Sequence, residues 1–163
     1  MLRDIVEVVV GVIFAFILYT ALSSLSFSVI LLFDVLSLAV IYFASNKGEI
    51  FGAWTGMACG LIQDSFAAGV FGISGISKTI MGFVAGVVSH RIDVNTAARR
   101  CLFVFFMLVL DLGSWMILYS LLMRTGLNTG GGLLFFRPFA TAIMGCFLLP
   151  LIHKIRSASR RRT

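Results

Sequence analysis

Six apolar runs separated by short polar stretches are the feature that most constrains the fold of this chain. A helix of 18 residues is about 27 Å long, close to the thickness of the hydrocarbon core of a bilayer. The runs cover residues 5–22, 27–44, 51–66, 73–89, 101–123 and 133–152. They predict an all-α integral membrane protein in which six transmembrane helices form one domain over residues 1–152. Residues 153–163 are expected to form a basic cytoplasmic tail.

The composition argues against a soluble domain. Hydrophobic residues make up 60% of the 163 residues and the mean hydropathy is +1.05, whereas a soluble domain is typically about 45–50% apolar. The net charge of +6 is compatible with nucleic-acid binding, but the basic residues stand at the ends of the runs and in the tail. That distribution is typical of a membrane orientation signal and not of a nucleic-acid-binding face.

Lys and Arg are distributed very unevenly between the two sides that six crossings would create. The side that holds both termini carries ten of them, whereas Arg124 is the one basic loop residue on the opposite side. Basic loops stay in the cytoplasm, so both termini are expected to be cytoplasmic. The ten residues are Arg3, Lys47, Arg91, Arg99, Arg100, Lys154, Arg156, Arg160, Arg161 and Arg162.

A cleaved signal peptide is the alternative interpretation of the first run, because Ala21, Leu22 and Ser23 form a small-x-small triplet. The run is longer than a usual signal core, and acidic Asp4 and Glu7 stand at its start. These features favour a retained first helix.

Glycines share one face of each of two neighbouring runs. Small residues at this spacing mark close helix packing, either within one chain or against the transmembrane helix of a partner. Both interpretations are open from the sequence. The glycines are Gly52, Gly56 and Gly60 in the third run and Gly75, Gly82 and Gly86 in the fourth.

Charged residues inside the runs are the second unusual feature, because an ionised carboxylate at the bilayer centre costs about 2.5–3.5 kcal/mol even on the lenient insertion scale. Counting from the run ends at about 1.5 Å per residue places Asp64, Lys78 and Arg137 in one outer layer, and Asp34 and Asp111 near mid-membrane. We expect Asp64 to pair with Lys78 or Arg137. The charges are interpreted either as ion pairs that only hold the helices together or as a polar cavity or proton path.

The sequence offers no motif for catalysis, a cofactor or a metal. It lacks a P-loop, an HExxH zinc motif and a Gly-x-Ser-x-Gly elbow. Ser74 and Ser77 flank Lys78, and a Ser/Lys pair can do nucleophilic chemistry, but small hydroxyl residues in membrane helices more often serve packing. We therefore expect a protein that is not an enzyme, with no cofactor and no metal ion.

The third and fourth runs have a distinctive order. A glycine-rich helix ends in an acidic residue, and a short Ser/Gly turn leads into another small-residue helix. The residues that show this order are Gly52–Gly60, Gly60-Leu61-Ile62-Gln63-Asp64, Gly69, Gly72 and the run to Gly86. In this order the chain resembles the MreD family of rod-shape-determining membrane proteins. Its length, Pro150 near the end of the last run and the basic tail also fit, whereas Phe27 and Asp34 in the second run depart from the family's pattern.

This resemblance implies a non-enzymatic role in the cell-wall elongation machinery of the bacterial cytoplasmic membrane. The expected partners are an MreC-like bitopic protein and, in the wider complex, the MreB filament, the glycosyltransferase RodA, its transpeptidase and membrane lipid. The family is similar in fold to the six-helix substrate-binding subunits of energy-coupling-factor transporters. The alternative function is therefore a solute-binding subunit that uses Asp34, Asp111 and an internal cavity, although the Val-, Ile- and Phe-rich first run lacks an Ala-rich coupling surface.

The orientation predicts where a label on the tail can be reached. An epitope tag placed after Thr163 should bind antibody only in permeabilised cells, because the positive-inside bias holds the tail in the cytoplasm. Binding of antibody to intact cells would contradict the topology.

Overall fold

A computed structural model describes residues 2–25, 34–66, 71–91, 97–123 and 136–146, and all regular secondary structure in these ranges is helical. This agrees with the predicted all-α class. The remaining residues, including much of the sixth predicted run and the whole tail, lie outside the described ranges. The helices are α1 (Leu2–Leu25), α2 (Val35–Lys47), α3 (Glu49–Phe66), α4 (Ile73–Arg91) and α5 (Ala97–Met123), and residues 136–146 form a further helical segment.

Two of the described helices are long and apolar enough to cross a membrane. They contain the windows Asp4–Ala21 and Ala98–Leu122, with mean hydropathies of 2.1 and 2.3. Only 11% and 22% of these windows are buried, so most of their apolar surface faces outward, unlike that of a core helix in a soluble protein. The helix Val35–Lys47 is apolar but shorter. In α3 and α4, glycines and polar residues dilute the apolar content.

Helix α2 is the centre of the bundle. It packs against α1, α3, α4 and α5, and most of its residues are buried on every side. Leu36, Val40 and Ile41 have almost no exposed surface. They form one core with Met81 of α4 and Val104 of α5. Side chains on α2 can therefore reach several helices at once.

The first four helices alternate in direction. Lys47 at the end of α2 contacts Glu7 near the start of α1, whereas Phe16 in the second half of α1 packs against Phe66 at the end of α3, with ring centroids 5.8 Å apart. The end of the bundle that holds Lys47 and Glu49 is here named the junction end. The other end, which holds Asp34 and Asp64, is named the cavity end.

Helix α2 is bounded by two non-helical residues. Asp34 precedes it as the N-cap, and its side chain accepts the N–H of Ser37, one of the donors that a helix start leaves unpaired. At the other end a single residue, Gly48, joins α2 to α3 with φ of +94°, a conformation that favours glycine. The predicted run 27–44 is thus not one continuous helix, because the chain is non-helical at Asp34.

The glycine rows of α3 and α4 face each other. A Cβ atom added to Gly52 would overlap the backbone of Gly82, and the reverse is also true. A Cβ atom on Gly56 would overlap the carbonyl group of Lys78 and lie 3.0 Å from the Cα atom of Thr79. The two backbones are in direct contact, which only glycine permits.

The same contact continues to both ends of the two helices. A Cβ atom on Gly60 would overlap the backbone of Ser74 and Gly75, and one on Gly86 would overlap the backbone of Glu49. The glycines predicted from the sequence therefore serve packing within this chain. Their face is already covered and has no room for the helix of a partner.

This geometry predicts a sharp contrast between two glycine substitutions. Gly56→Ala should destabilise the protein by about 1–3 kcal/mol, because an overpacked methyl group must push the backbones apart. Gly113→Ala is the matched control, since nothing lies within 4 Å of a Cβ atom there. It should leave stability unchanged or raise it by up to about 1 kcal/mol through helix propensity. Reversible unfolding in detergent measures both, and equal stabilities would contradict the packing.

Candidate functional site

Lys78 on α4 is the most deeply placed charge in the described part of the chain, with 1% of its side chain exposed. Its ammonium group can donate three hydrogen bonds, and three acceptors surround it. They are Asp34 Oδ2 at 2.8 Å, Asp111 Oδ2 at 3.0 Å and the Ser37 hydroxyl oxygen. An ammonium group with all three protons engaged has no free lone pair. The arrangement therefore does not favour a Ser/Lys nucleophile.

Asp111 on α5 is held by hydroxyl groups as well as by Lys78. The hydroxyl group of Ser37 donates to Asp111 Oδ2 at 3.0 Å. Ser77 Oγ lies 2.7 Å from both Asp111 Oδ1 and its carbonyl oxygen. A carboxylate in the middle of an apolar helix thus receives hydrogen bonds from α2 and α4, which lowers the cost of its burial.

Arg137 brings the helical segment 136–146 into the same cluster. Its Nη2 donates to Asp34 Oδ2 at 2.8 Å, the same oxygen that Lys78 contacts. The backbone N–H of Asp34 donates to the hydroxyl oxygen of Thr141 at 3.1 Å. Asp34, Lys78, Asp111 and Arg137 form what we name the charge quartet, which has two carboxylates, two cations and no net charge.

Asp64 is not part of the quartet, and the prediction that it pairs with Lys78 or Arg137 is wrong. Its carboxylate accepts backbone N–H groups from Gly72 at 2.8 Å, Ser74 at 3.1 Å and Gly75 at 3.3 Å. These groups belong to the first turn of α4 and the residue before it, where helical N–H groups lack partners and the dipole favours an anion. Asp64 therefore caps α4 from the end of α3.

The predicted layering of the charges is also wrong for Asp34 and Asp111. They contact Lys78 directly, so they share its level in the bundle and do not form a separate layer. The depth estimate for Asp34 assumed a continuous helix from residue 27, whereas the chain is non-helical at Asp34 itself. Asp34 and Asp111 both pair with Lys78, which agrees with the interpretation of the charges as ion pairs that hold helices together.

A cavity of about 200 Å³ lies beside the quartet at the cavity end. The four quartet residues and Asp64 contribute to its wall, and Trp115 and Tyr119 of α5 line another part. The two rings are stacked, with centroids 5.2 Å apart and planes 19° from parallel. The charges inside the runs thus hold helices together and also line part of a cavity, although most of the cavity's lining surface is apolar.

Three hydroxyl residues complete the cluster, but the sequence alone did not identify them as members of it. Ser37 and Thr141 are ordinary small polar residues in apolar runs, and Ser77 is distinguished only by its position next to Lys78. Ser37 lies one helical turn after Asp34, a spacing that places both at the same helix end. The pattern that would have indicated these cluster members is a hydroxyl residue one helical turn from a charged residue in an apolar run.

A second ion-pair group lies at the junction end. Lys47 contacts Asp4 and lies 2.9 Å from Glu7 Oε2. The hydrogen bond to Asp4, together with that to Glu7, raises the pKa of Lys47 above its ordinary value. These residues are partly exposed, so the group fixes the start of α1 to the end of α2 with a modest energy.

Comparison with known proteins does not assign the chain to a family. No family model matches the chain. No curated protein matches its sequence, and no solved structure matches its fold. The resemblance to the MreD family therefore rests on the sequence motif alone and remains a prediction.

The quartet predicts that charge balance matters more than any single pair. Lys78→Met should destabilise the protein by about 3–5 kcal/mol, because it leaves two buried carboxylates with one cation. Lys78→Met combined with Asp111→Asn should regain part of that loss, since the remaining Asp34–Arg137 pair is neutral. Unfolding in detergent measures Lys78→Met, Asp111→Asn and the double variant. A stable Lys78→Met protein, or a double variant whose loss equals the sum of the single losses, would contradict the prediction.

Proposed function

We propose that the chain is a multi-pass protein of the bacterial cytoplasmic membrane with six crossings and cytoplasmic termini. The outward exposure of large apolar side chains supports this. In α1, Phe14 has 66% of its surface exposed, in α3 Trp54 has 64%, and in α5 Leu121 has 71%. Asp34, Asp64 and Lys78 are buried in the interior instead. This arrangement suits a hydrocarbon solvent, in which polar groups must be satisfied inside the protein.

In this membrane the chain serves as a non-enzymatic scaffold of the cell-wall elongation machinery. It binds an MreC-like bitopic protein and supports peptidoglycan synthesis and rod shape together with MreB, RodA and the transpeptidase. The observation that carries the proposal is the neutral quartet, which joins α2, α4, α5 and the segment 136–146 into one body. A body locked by internal ion pairs suits a docking role, since a partner binds with little further ordering.

The outward face of α1 is the docking surface that fits this role best. Among the described helices α1 packs only against α2 and α3, and the glycine face of α3 and α4 is already covered. A partner's membrane helix would pack its side chains against this face by van der Waals contact. Its exposed large apolar residues are Ile5, Val6, Val9, Val10, Ile13, Phe14 and Ile17.

Photocrosslinking tests this docking surface. A photoreactive amino acid at Phe14 should capture the single-span partner in cells, because that side chain points away from the bundle. The same amino acid at Phe106, an equally exposed position on α5 with 61% of its surface exposed, is the matched control and should capture lipid or other neighbours. Mass spectrometry identifies the products.

Two outcomes would contradict the scaffold proposal. One is a normally expressed Phe14 variant that captures lipid but no protein. The other is a host that keeps its rod shape and its rate of peptidoglycan incorporation after the gene is deleted.

The cavity favours the second candidate function, a solute-binding subunit of an energy-coupling-factor-type transporter. A scaffold has no need of a cavity of about 200 Å³ beside its charges. Strong stabilisation by one compound in a thermal-shift screen of vitamins and metal ions would favour this function over the scaffold.

A further inference from the structure

Two cysteines that are distant in the sequence lie together in the structure. Cys101 stands in the second turn of α5, and Cys146 is the last residue of the described segment 136–146. Their thiol groups are hydrogen-bonded to each other. Both residues are partly exposed, whereas the third cysteine of the chain, Cys59, is buried. The pair belongs neither to the charge quartet nor to the cavity wall.

Helix packing brings the two thiols together. A Cβ atom on Gly145 would lie 3.2 Å from Val104 Cγ1, and Val104 is fully buried. Cys101 precedes Val104 by three residues and therefore lies on the same face of α5. The rings of Phe105 and Phe139 are also in contact, with centroids 4.9 Å apart. The segment is thus packed along α5 up to the cysteine pair.

The pair lies well away from the quartet. Cys101 stands ten residues before Asp111, about 15 Å along α5 at 1.5 Å per residue. Cys146 stands nine residues after Arg137, about 14 Å by the same rise. Arg137 therefore holds one end of the segment 136–146, and the other end meets α5 at the thiols.

Cys101 is close to one end of an apolar helix. It is the fourth residue of the apolar window Ala98–Leu122, and Arg99 and Arg100 stand beside it in the sequence. A water-soluble reagent can reach a thiol at this level of a membrane helix. In the topology proposed above this level is on the cytoplasmic side, where disulfides are rare and, when present, are usually transient and redox-sensing. The resting state of the pair is then the dithiol.

We propose that Cys101 and Cys146 are a reversible redox modification site, a dithiol that a small disulfide such as oxidised glutathione converts to an intramolecular disulfide. One cysteine thiolate attacks a sulfur of the oxidant, breaks its S–S bond, releases one glutathione and leaves a mixed disulfide. The second thiolate attacks the protein sulfur of that mixed disulfide and releases the second glutathione. The two cysteines lose two electrons to the oxidant, and their two protons pass to the two glutathione thiolates.

The disulfide fastens the far end of the segment 136–146 to α5. Bonded sulfurs are about 2.05 Å apart, and two thiols in hydrogen-bonding contact need only a small further approach. Because Arg137 holds the other end through Asp34, the oxidised segment is held at both ends. The proposal depends on the contact between the thiols and not on the scaffold or transporter function.

Oxidation of the purified full-length chain in detergent tests the proposal. Oxidised glutathione should lower the number of thiols that react with a maleimide after denaturation from three to one, because Cys59 stays reduced. Peptide mapping should find a cross-link between Cys101 and Cys146 that dithiothreitol removes. The melting temperature should rise by about 5–10 °C on oxidation and should fall back on reduction.

Cysteine substitutions separate the pair from the rest of the chain. Cys101→Ser should leave Cys146 with a bound glutathione and no cross-link, and Cys146→Ser should leave Cys101 in the same state. Neither variant should gain melting temperature on oxidation. Cys59→Ala is the matched control, because it removes a thiol outside the pair, and it should form the cross-link as the original chain does.

Four outcomes would overturn the proposal. They are three thiols that remain after oxidation, glutathione on both Cys101 and Cys146 of one chain, a cross-link that forms equally well in the unfolded chain, and a cross-linked chain whose melting temperature does not rise. All four are measured on the unaltered chain, so they decide the question even where a variant does not fold. Capture of a partner at Phe14 is measured separately and is unaffected by any of these results.

Discussion

The ammonium group of Lys78 is the interaction on which the rest of the structure depends. It joins α4 to Asp34 before α2 and to Asp111 on α5, and Asp34 in turn joins the segment 136–146 through Arg137. In the membrane setting proposed above, helices gain little from hydrophobic burial against one another. Ion pairs and hydrogen bonds inside the bundle would then specify which helices are neighbours.

The glycine contact and the charge quartet both involve Lys78, the first through its backbone and the second through its side chain. The carbonyl group of Lys78 lies against Gly56, so the backbone that carries the ammonium group is pressed onto α3. On its other side the Lys78 side chain extends to α2 and α5. The close approach of α3 and α4 fixes the origin of the Lys78 side chain, and the carboxylates fix its end. Neither the glycines nor the charges alone would hold the cation in this place.

Much of this could be predicted from the sequence, for identifiable reasons. Glycines that recur every fourth residue lie on one face of a helix. The rows around Gly56 and Gly82 can therefore be identified from their spacing alone. Charged residues in the apolar runs could be predicted to face inward, because exposing a charge to lipid costs free energy. Partner choice could not be predicted, because several carboxylates compete for each cation. Asp64 shows this best, since helical N–H groups satisfied it and left Lys78 to Asp34 and Asp111.

The capping of α4 by Asp64 has a consequence for biogenesis. The carboxylate that completes the first turn of α4 belongs to α3, and the glycine faces of the two helices are complementary. If α4 crosses the membrane as proposed, inserting it without α3 would expose unpaired N–H groups and an unpaired lysine to lipid. In the proposed topology, the hairpin of α3 and α4 is therefore expected to insert as one unit.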